Sequence, residues 1–235
     1  AVAAYGLGVS IAFAGLSLWV GIAVGILATV LLALLLGIPT LRLRADYLAI
    51  VTIAAAEILR LVFRSVTFDP VLGGSDGINR FDDFFAINPY NGPLTIGPAT
   101  FSQNDAWVIT IGWILVVVMS VLVFLLMRSP WGRVIKAIRE DEDAVRSLGK
   151  SVYSYKMQAL IIGGVMGSFG GFIAAIAFQS IQPDYYSTDL TFFAYAVLIL
   201  GGAARVLGPI VGAVVFWFLL VFIDGALANG VSSGM

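Results

Sequence analysis

The chain has 235 residues, of which 60% are hydrophobic and only 11% are charged, and its mean hydropathy is +1.00. A water-soluble domain of this size carries about a quarter charged residues, so the composition identifies an integral membrane protein. The net charge of −1 excludes the positive field that attracts nucleic acid. The absence of histidine and cysteine excludes the usual zinc and haem ligands, thiol nucleophiles, disulfides and imidazole-dependent catalysis.

The first apolar stretch, residues 6–38, carries no charge. A membrane-spanning helix needs roughly 20 apolar residues, so this stretch is too long for one crossing and too short for two. We therefore predict the end of one helix followed by a full span over residues 18–38. The chain begins with Ala1 and no basic region precedes the apolar stretch, so no signal peptide is visible, and we expect a chain cut at one or both ends.

The second predicted span, residues 46–64, contains charged side chains at Glu57 and Arg60. Glu57 follows Asp46 at a helical rise of about 16 Å, which places it near the bilayer midplane. Charged side chains at this depth are costly, and they persist when they are paired or face water.

Residues 67–105, here named the acidic segment, contain five Asp, one Arg and many Gly and Pro residues without helical periodicity. We predict that this segment lies outside the membrane and forms turns or short strands. Gly73, Gly74 and Gly77 belong to a G-x-S-x-G pattern, which is typical of the nucleophile turn of hydrolases. Because the chain has no histidine to act as a base, the hydrolase interpretation fails.

Residues 106–127 form an unbroken apolar span, and residues 128–156, here named the basic segment, follow with seven of the 13 basic residues. In the basic segment, one helical face carries apolar side chains that Asp141 interrupts, namely Val134, Ile138, Val145 and Leu148. This pattern predicts two short helices hinged at residues 140–143, the second of which ends at Gly149. The segment either docks on a protein partner or lies on anionic lipid headgroups.

The later spans are rich in glycine. Gly163, Gly167 and Gly171 recur every four residues within the span at 157–179, and two glycine pairs repeat the spacing, Gly21 with Gly25 and Gly208 with Gly212. Small residues let helices in lipid approach closely, so we predict tight helix contacts, within the chain or at a subunit interface.

The last part of the chain is harder to divide into spans. Residues 191–204 cover only about 21 Å at helical rise, which predicts a re-entrant or broken helix. We predict a final apolar helix over residues 209–223 that ends at Asp224, followed by a polar tail at 225–235.

The basic residues predict the orientation. The basic segment and the linker residues Arg42 and Arg44 are expected in the cytoplasm, whereas the acidic segment, with Arg80 as its only basic residue, is expected outside. The number of spans between them agrees with this topology.

Several stretches resemble one known family. They are Gly37-Ile-Pro-Thr-Leu-Arg-Leu-Arg with residues 45–52, Leu72-Gly-Gly-Ser-Asp-Gly-Ile78, Ile138-Arg-Glu-Asp-Glu142 with Leu148-Gly149, and Leu200-Gly-Gly202 with Gly208-Pro209. Together they are similar to the LivM-type permease subunit of branched-chain amino acid ABC transporters. The chain departs from this family in its shorter ends, in Ala45 where glycine is usual, and in Arg205 where small residues are commoner.

The resemblance implies a set of partners in a bacterial or archaeal cytoplasmic membrane. They are a second homologous permease subunit, two cytoplasmic ATPase subunits, an extracytoplasmic substrate-binding protein and the lipid bilayer. The basic segment also resembles the EAA loop that contacts the ATPase, with Asp143-Ala144-Val145 and Gly149 as the degenerate match and without the downstream hydrophobic-Pro part. This likeness implies contacts through Glu140, Glu142, Asp143, Ala144 and Gly149.

Two further sites remain open between alternatives. Glu57 and Arg60 either line the translocation path, where a zwitterionic amino acid meets both charges, or form a buried ion pair that locks helices together. Gly73, Gly74 and Gly77 form either a turn at the outer mouth, where the binding protein docks, or a plain turn.

The sequence thus predicts an all-α, polytopic transmembrane helical bundle, with residues 1–235 as a single permease domain and residues 128–156 as the cytoplasmic coupling segment. The predicted function is the permease subunit of an ATP-driven importer of branched-chain or similar hydrophobic amino acids. No nucleotide-binding P-loop motif occurs, so ATP hydrolysis is expected on a separate subunit, and no cofactor is expected. The alternatives are an ion-gradient-driven secondary amino acid transporter and a membrane enzyme that relies on carboxylates alone.

Overall fold

The structure, a computed structural model, describes residues 1–41, 43, 45–74, 76–79, 85, 88–96, 99–203 and 205–232. Arg42, Arg44, Ser75 and Arg80, which entered the sequence-based predictions, lie outside these residues. The chain divides into two compact units, residues 1–186 and residues 187–235, and each is described by itself. The assignment of residues 1–235 to one permease domain stays a prediction.

The first unit is built almost entirely from helices. In chain order these are α1 (Val2–Ala12), α2 (Leu18–Thr40), α3 (Ala45–Arg64), α4 (Asp69–Leu72), α5 (Gln103–Arg128), α6 (Pro130–Glu140), α7 (Glu142–Ser147) and α8 (Val152–Phe178). The second unit contains α9 (Thr188–Gly201) and α10 (Gly208–Ser232). The prediction of an all-α polytopic protein is confirmed.

Four described helices are long and apolar enough to cross a membrane: α2, α5, α8 and residues 208–225 of α10. The predicted start of the first full span at Leu18 is confirmed by α2. The helix predicted over residues 46–64 is present as α3, but its charged residues keep it out of this group, so its role as a span stays a prediction.

The core of the first unit lies where α1, α2 and α8 pack together. Buried side chains at this crossing include Leu7 of α1 and Phe172 of α8. A Cβ atom added at Gly25 of α2 would lie 2.6 Å from the Ala3 carbonyl oxygen and 2.7 Å from Phe172 Cε1. The helices approach so closely because glycine leaves this space free, as the spacing of Gly21 and Gly25 predicts.

The glycine spacing in α8 is only partly used for packing. Gly171 lies beside Ala4 of α1, whereas Cβ atoms added at Gly163 or Gly167 would meet no atom of the described residues within 4 Å. Contacts within the described part of the chain thus account for Gly171, whereas a tight contact at Gly163 and Gly167, such as one at a subunit interface, stays a prediction. Only one glycine of the three faces α1.

The acidic segment forms short elements, as predicted. It begins with a 3-10 turn (Val66–Phe68) and α4, and it continues with strands β1 (Ile78–Asn79), β2 (Leu94–Ile96) and β3 (Ala99–Phe101). β2 and β3 form an antiparallel hairpin. β1 pairs antiparallel with β4 (Ser180–Ile181), which follows α8, and Ile78 lies opposite Ile181. This pairing attaches the acidic segment to the end of α8.

The second unit is a pair of packed helices. Gly201 of α9 and Gly212 of α10 lie at the contact, where an added Cβ atom would overlap backbone atoms of the facing helix or of the connection. α9 has 14 residues, which agrees with the predicted short helix. The predicted end at Asp224 is wrong, because α10 continues to Ser232. Asp224 and Gly225 do not stop the helix, since Ala226, Leu227 and Ala228 follow them and alanine and leucine favour helical backbone.

Candidate functional site

Four charged side chains form one cluster at the end of α3. Arg60 donates from Nε to both Glu57 carboxylate oxygens at 3.1 Å and from Nη2 to Glu57 Oε1 at 2.6 Å. Its Nη1 donates to Asp184 Oδ1 at 3.0 Å, and Arg64 Nη1 lies 3.5 Å from the same oxygen. Two positive and two negative groups make the cluster neutral, which suits ions near lipid.

The cluster connects α3 to the chain that follows α8. Asp184 belongs to a 3-10 turn (Pro183–Tyr186) directly after β4. Its carboxylate is 57% exposed, while the Arg60 side chain is 18% exposed. An ion pair between Glu57 and Arg60 was one of the two alternatives that the sequence left open, but the sequence gave no sign that Asp184 joins them from 124 positions away.

A cavity of about 280 Å³ opens beside Arg60. Its walls come from α2, α3, α8, the first three residues of the chain and the 3-10 turn at 183–186. The side chains of Leu32, Leu36 and Leu59 make much of the lining apolar. On α3 the lining extends from Thr52 to Arg60, a distance of about 12 Å at helical rise.

Three hydroxyl groups add polar positions to the cavity wall. Thr29 Oγ1 donates to the Gly25 carbonyl oxygen at 3.0 Å, and Thr52 Oγ1 donates to the Leu48 carbonyl oxygen at 2.9 Å. Ser168 Oγ lies 3.0 Å from Thr29 Oγ1, to which it donates. Because these hydrogens are already used, the hydroxyls offer mainly lone pairs to a guest molecule.

Tyr186 is a further polar residue of the cavity, and sequence reasoning missed it together with Thr29, Thr52 and Ser168. Burial raises the pKa of its hydroxyl to about 12, so the group remains a proton donor over the physiological range. Its hydroxyl makes no hydrogen bond with another residue that the structure describes. A tyrosine in a short turn carries no sequence signal for such a role, whereas polar residues inside apolar spans, such as Thr29 and Ser168, are a signal that could have been used.

The basic segment starts with a tight corner at Ser129. The Ser129 hydroxyl donates to the Leu126 carbonyl oxygen at the end of α5 and accepts from the Gly132 N–H at the start of α6. A Cβ atom added at Gly132 would lie 2.6 Å from the Leu126 carbonyl oxygen, so the first turn of α6 packs directly on α5. Pro130 occupies the first helical position, where its missing N–H is not needed.

The two predicted short helices of the basic segment are confirmed as α6 and α7. Between them Asp141 caps α7, because its carboxylate accepts from the Ala144 N–H at 2.9 Å. Val145 of α7 is buried against Ile138 of α6 and Val152 of α8. The prediction that Leu148 shares this face is wrong, since Leu148 is 79% exposed at the end of α7.

The residues predicted to contact an ATPase lie together on α7 and its ends. Glu142 pairs with Arg146 and with Lys156 of α8, and Asp143 pairs with Arg146 at 3.2 Å. Gly149 adopts a φ of 74°, a left-handed conformation that glycine takes without strain, and its N–H donates to the Arg146 carbonyl oxygen. Ala144 and Glu140 are exposed or partly exposed neighbours on the same two helices.

The glycine-rich turn of the acidic segment is also observed. Gly73, Gly74 and Gly77 have φ values of 72°, 50° and 73°, a left-handed conformation that favours glycine. A Cβ atom at Gly77 would overlap the Ile181 carbonyl oxygen. The glycine turn therefore packs on Ile181 of β4, three residues before Asp184. The glycine turn and the charged cluster thus both contact the chain that directly follows α8.

These features define a class of protein: a polytopic helical membrane protein with a small, mostly apolar cavity and a separately capped helix pair outside the long apolar helices. The family model described as the branched-chain amino acid transport system / permease component matches residues 1–233. The chain belongs to this family of membrane permeases and is a multi-pass protein of the inner membrane.

Curated relatives agree with this assignment. The chain is 31% identical over 212 residues to the high-affinity branched-chain amino acid transport system permease protein LivM of Salmonella typhimurium, covering 85% of this chain and 49% of that protein. It is 29% identical over 220 residues to the probable LivM permease of Methanocaldococcus jannaschii, covering 87% and 58%. The nucleoside ABC transporter permease protein NupC of Lactococcus lactis is 25% identical over 194 residues, covering 80% and 58%.

The chain spans about half the length of the curated relatives it matches, between 49% and 58% for these three. Their names include both amino acid and nucleoside cargo, so family membership by itself does not select the cargo. No solved structure gave a significant match.

Proposed function

We propose that the chain is a transmembrane permease subunit of an ATP-driven importer for branched-chain or similar hydrophobic amino acids. The LivM permeases among its relatives support this cargo. A mostly apolar cavity of about 280 Å³ with charged and hydroxyl groups on its wall suits a small amphipathic molecule. Because the sequence has no P-loop, ATP hydrolysis takes place on another subunit in this proposal.

The proposed assembly contains a second homologous permease subunit, two cytoplasmic ATPase subunits and an extracytoplasmic substrate-binding protein. The basic segment faces the ATPase and the acidic segment faces outward, as the distribution of basic residues predicts. The glycine turn at Gly73, Gly74 and Gly77 then lies at the outer mouth. Glu57 and Arg60 lie on the translocation path, with the cavity as its part within this chain.

The observation that carries the proposed ATPase contact is the construction of α7. This helix has its own cap at Asp141 and a buried anchor at Val145, yet the Asp143 side chain is 90% exposed. A helix that is fixed on one side and charged on the other presents a firm surface to a partner. Motion of the partner passes through this surface to α6 and α8, against which Val145 packs.

The driving force is tested by uptake into vesicles that contain the complete transporter. We expect uptake of leucine to depend on ATP and to stop with vanadate, because the motor is an ATPase. Uptake that survives vanadate but collapses with an ionophore would instead identify a secondary transporter and overturn the proposal.

The ATPase contact is tested by co-purification. We expect Asp143→Lys to reverse an exposed charge and Gly149→Trp to disturb the turn at positive φ, so that both variants lose the ATPase while the permease remains in the membrane. Asp76→Lys, which changes another exposed carboxylate, in the acidic segment, is the matched control and is expected to retain the ATPase. Full recovery of the ATPase with Asp143→Lys would contradict the predicted contact.

A further inference from the structure

The cavity beside Arg60 has hydrogen-bond donors at one end. A guanidinium group carries five N–H bonds, and the contacts with Glu57 and Asp184 use one on each of the three Arg60 nitrogens. Within the described part of the chain, one N–H on each η nitrogen therefore has no partner. The Tyr186 hydroxyl lines the same cavity and remains protonated, so a second kind of donor is present.

The Thr and Ser hydroxyl groups of the cavity offer mainly acceptors. Thr29 and Ser168 have their hydroxyl hydrogens directed to helix carbonyls or to each other, which leaves lone pairs for a donor on a guest. Leu32, Leu36 and Leu59 provide apolar wall between helices α2 and α3. The lining thus combines a donor end, acceptor positions and room for an apolar body.

We propose that this cavity binds the carboxylate of a free amino acid between the Arg60 guanidinium and the Tyr186 hydroxyl, an assignment that rests on the proposed transport function. The apolar side chain of the amino acid lies against the leucines. The ammonium group uses the hydroxyl lone pairs. Tyr186 is thereby assigned as a cargo-binding residue.

The charge of the surroundings selects a zwitterion over a simple anion. Glu57, Arg60, Arg64 and Asp184 already sum to zero, so an anionic guest would add an uncompensated charge in a site of low polarity. A zwitterion brings its own positive group. An amide of the amino acid lacks the carboxylate that the donors require.

The test is equilibrium binding of leucine to the purified complex of permease and ATPase subunits, without the binding protein. We expect Tyr186→Phe to weaken binding about tenfold, the effect of losing one hydrogen bond to a charged group. Tyr185→Phe is the matched control, since Tyr185 neighbours Tyr186 in the chain, stacks on Phe178 and does not line the cavity. Arg60→Lys is expected to weaken binding similarly, and Arg64→Lys, which touches Asp184 but not the cavity, is not.

Ligand analogues provide the second arm. We expect leucinamide and 4-methylpentanoate, which lack the carboxylate and the ammonium group respectively, to compete at least about tenfold more weakly than leucine. Equal competition by leucinamide would overturn the carboxylate assignment, as would wild-type leucine affinity in both Tyr186→Phe and Arg60→Lys. Absence of leucine binding to the wild-type complex would overturn it as well.

The two proposals fail in different ways. If ATP-driven leucine uptake is unchanged in Tyr186→Phe and Arg60→Lys, the proposed binding site is wrong and the proposed transport function is retained. If the complex binds leucine through both residues but shows no ATP-driven uptake, the proposed transport function is wrong and the binding site is retained.

Discussion

At the scale of single residues, the main question is what Glu57 and Arg60 do. Their contact is bidentate, and Asp184 joins it from the turn after α8. These contacts between Glu57, Arg60 and Asp184 are compatible with both roles, an ion pair that holds helices together and a charged site that contacts the cargo. The two roles differ in whether transport needs the charges themselves.

The double variant Glu57→Gln with Arg60→Met separates these roles. It removes one charge of each sign, so Arg64 and Asp184 remain a balanced pair and we expect normal assembly. Because the charged contacts with cargo are lost, uptake is expected to fall at least about tenfold. Normal uptake by the assembled double variant would show that the pair is structural. Arg64→Met is the control for loss of a cation outside the cavity.

The residue scale also shows where sequence reasoning stops. The pairing of Glu57 with Arg60 follows from positions three apart on one helix, and the cap and glycine end of α7 follow from local chemistry. Asp184 and Tyr186 join the site only because β4 pairs with β1 and holds the turn at 183–186 in place. No local pattern encodes a contact between positions so distant in the chain.

At the scale of elements, glycine allows helices α1, α2 and α8 to pack closely where they cross. Gly25→Ala is expected to destabilise the protein by about 1–3 kcal/mol, because the new methyl group meets the Ala3 carbonyl oxygen and the Phe172 ring. Gly163→Ala is the matched control in α8. Its methyl group meets nothing within 4 Å among the described residues, and alanine favours a helix by about 0.5–1 kcal/mol over glycine.

Thermal unfolding of the detergent-solubilised variants distinguishes the two glycines. We expect a lower midpoint for Gly25→Ala and an unchanged or higher midpoint for Gly163→Ala. A drop with Gly163→Ala would mean that a surface outside the described contacts covers this position, such as another subunit. That result would favour the subunit-interface alternative for the glycine face.

The lengths of the apolar stretches predicted helix boundaries well where the composition of the sequence changes sharply. The start of α2, the short α9 and the break between α6 and α7 agree with the sequence. The end of α10 does not, because the sequence analysis treated Asp224 as a boundary although the backbone continues. The cavity was not predictable, since it depends on how α2, α3 and α8 are arranged.

At the scale of the whole molecule, the distribution of charge predicts the topology. The chain contains no cysteine, so single cysteines report accessibility without background from this subunit. We expect Val66→Cys, directly before the acidic segment, to react with a membrane-impermeant thiol reagent in intact cells. Ser147→Cys, an exposed position on α7, is expected to react only after permeabilisation.

Both substitutions are small and fall on exposed side chains, so folding is not at issue. Labelling of Ser147→Cys from outside the cell would invert the topology. The proposed ATPase contact would then be impossible, because the motor works in the cytoplasm.

The corner at Ser129 has a mechanical consequence. The Ser129 hydroxyl hydrogen-bonds both the last turn of α5 and the first turn of α6. Gly132, which has no side chain, lets the two helices contact each other directly. Because no flexible linker separates the two helices, we expect a displacement of α6 to tilt α5 as a rigid body. If the ATPase docks on α7 as proposed, we expect its motion to pass from α6 along the whole length of α5.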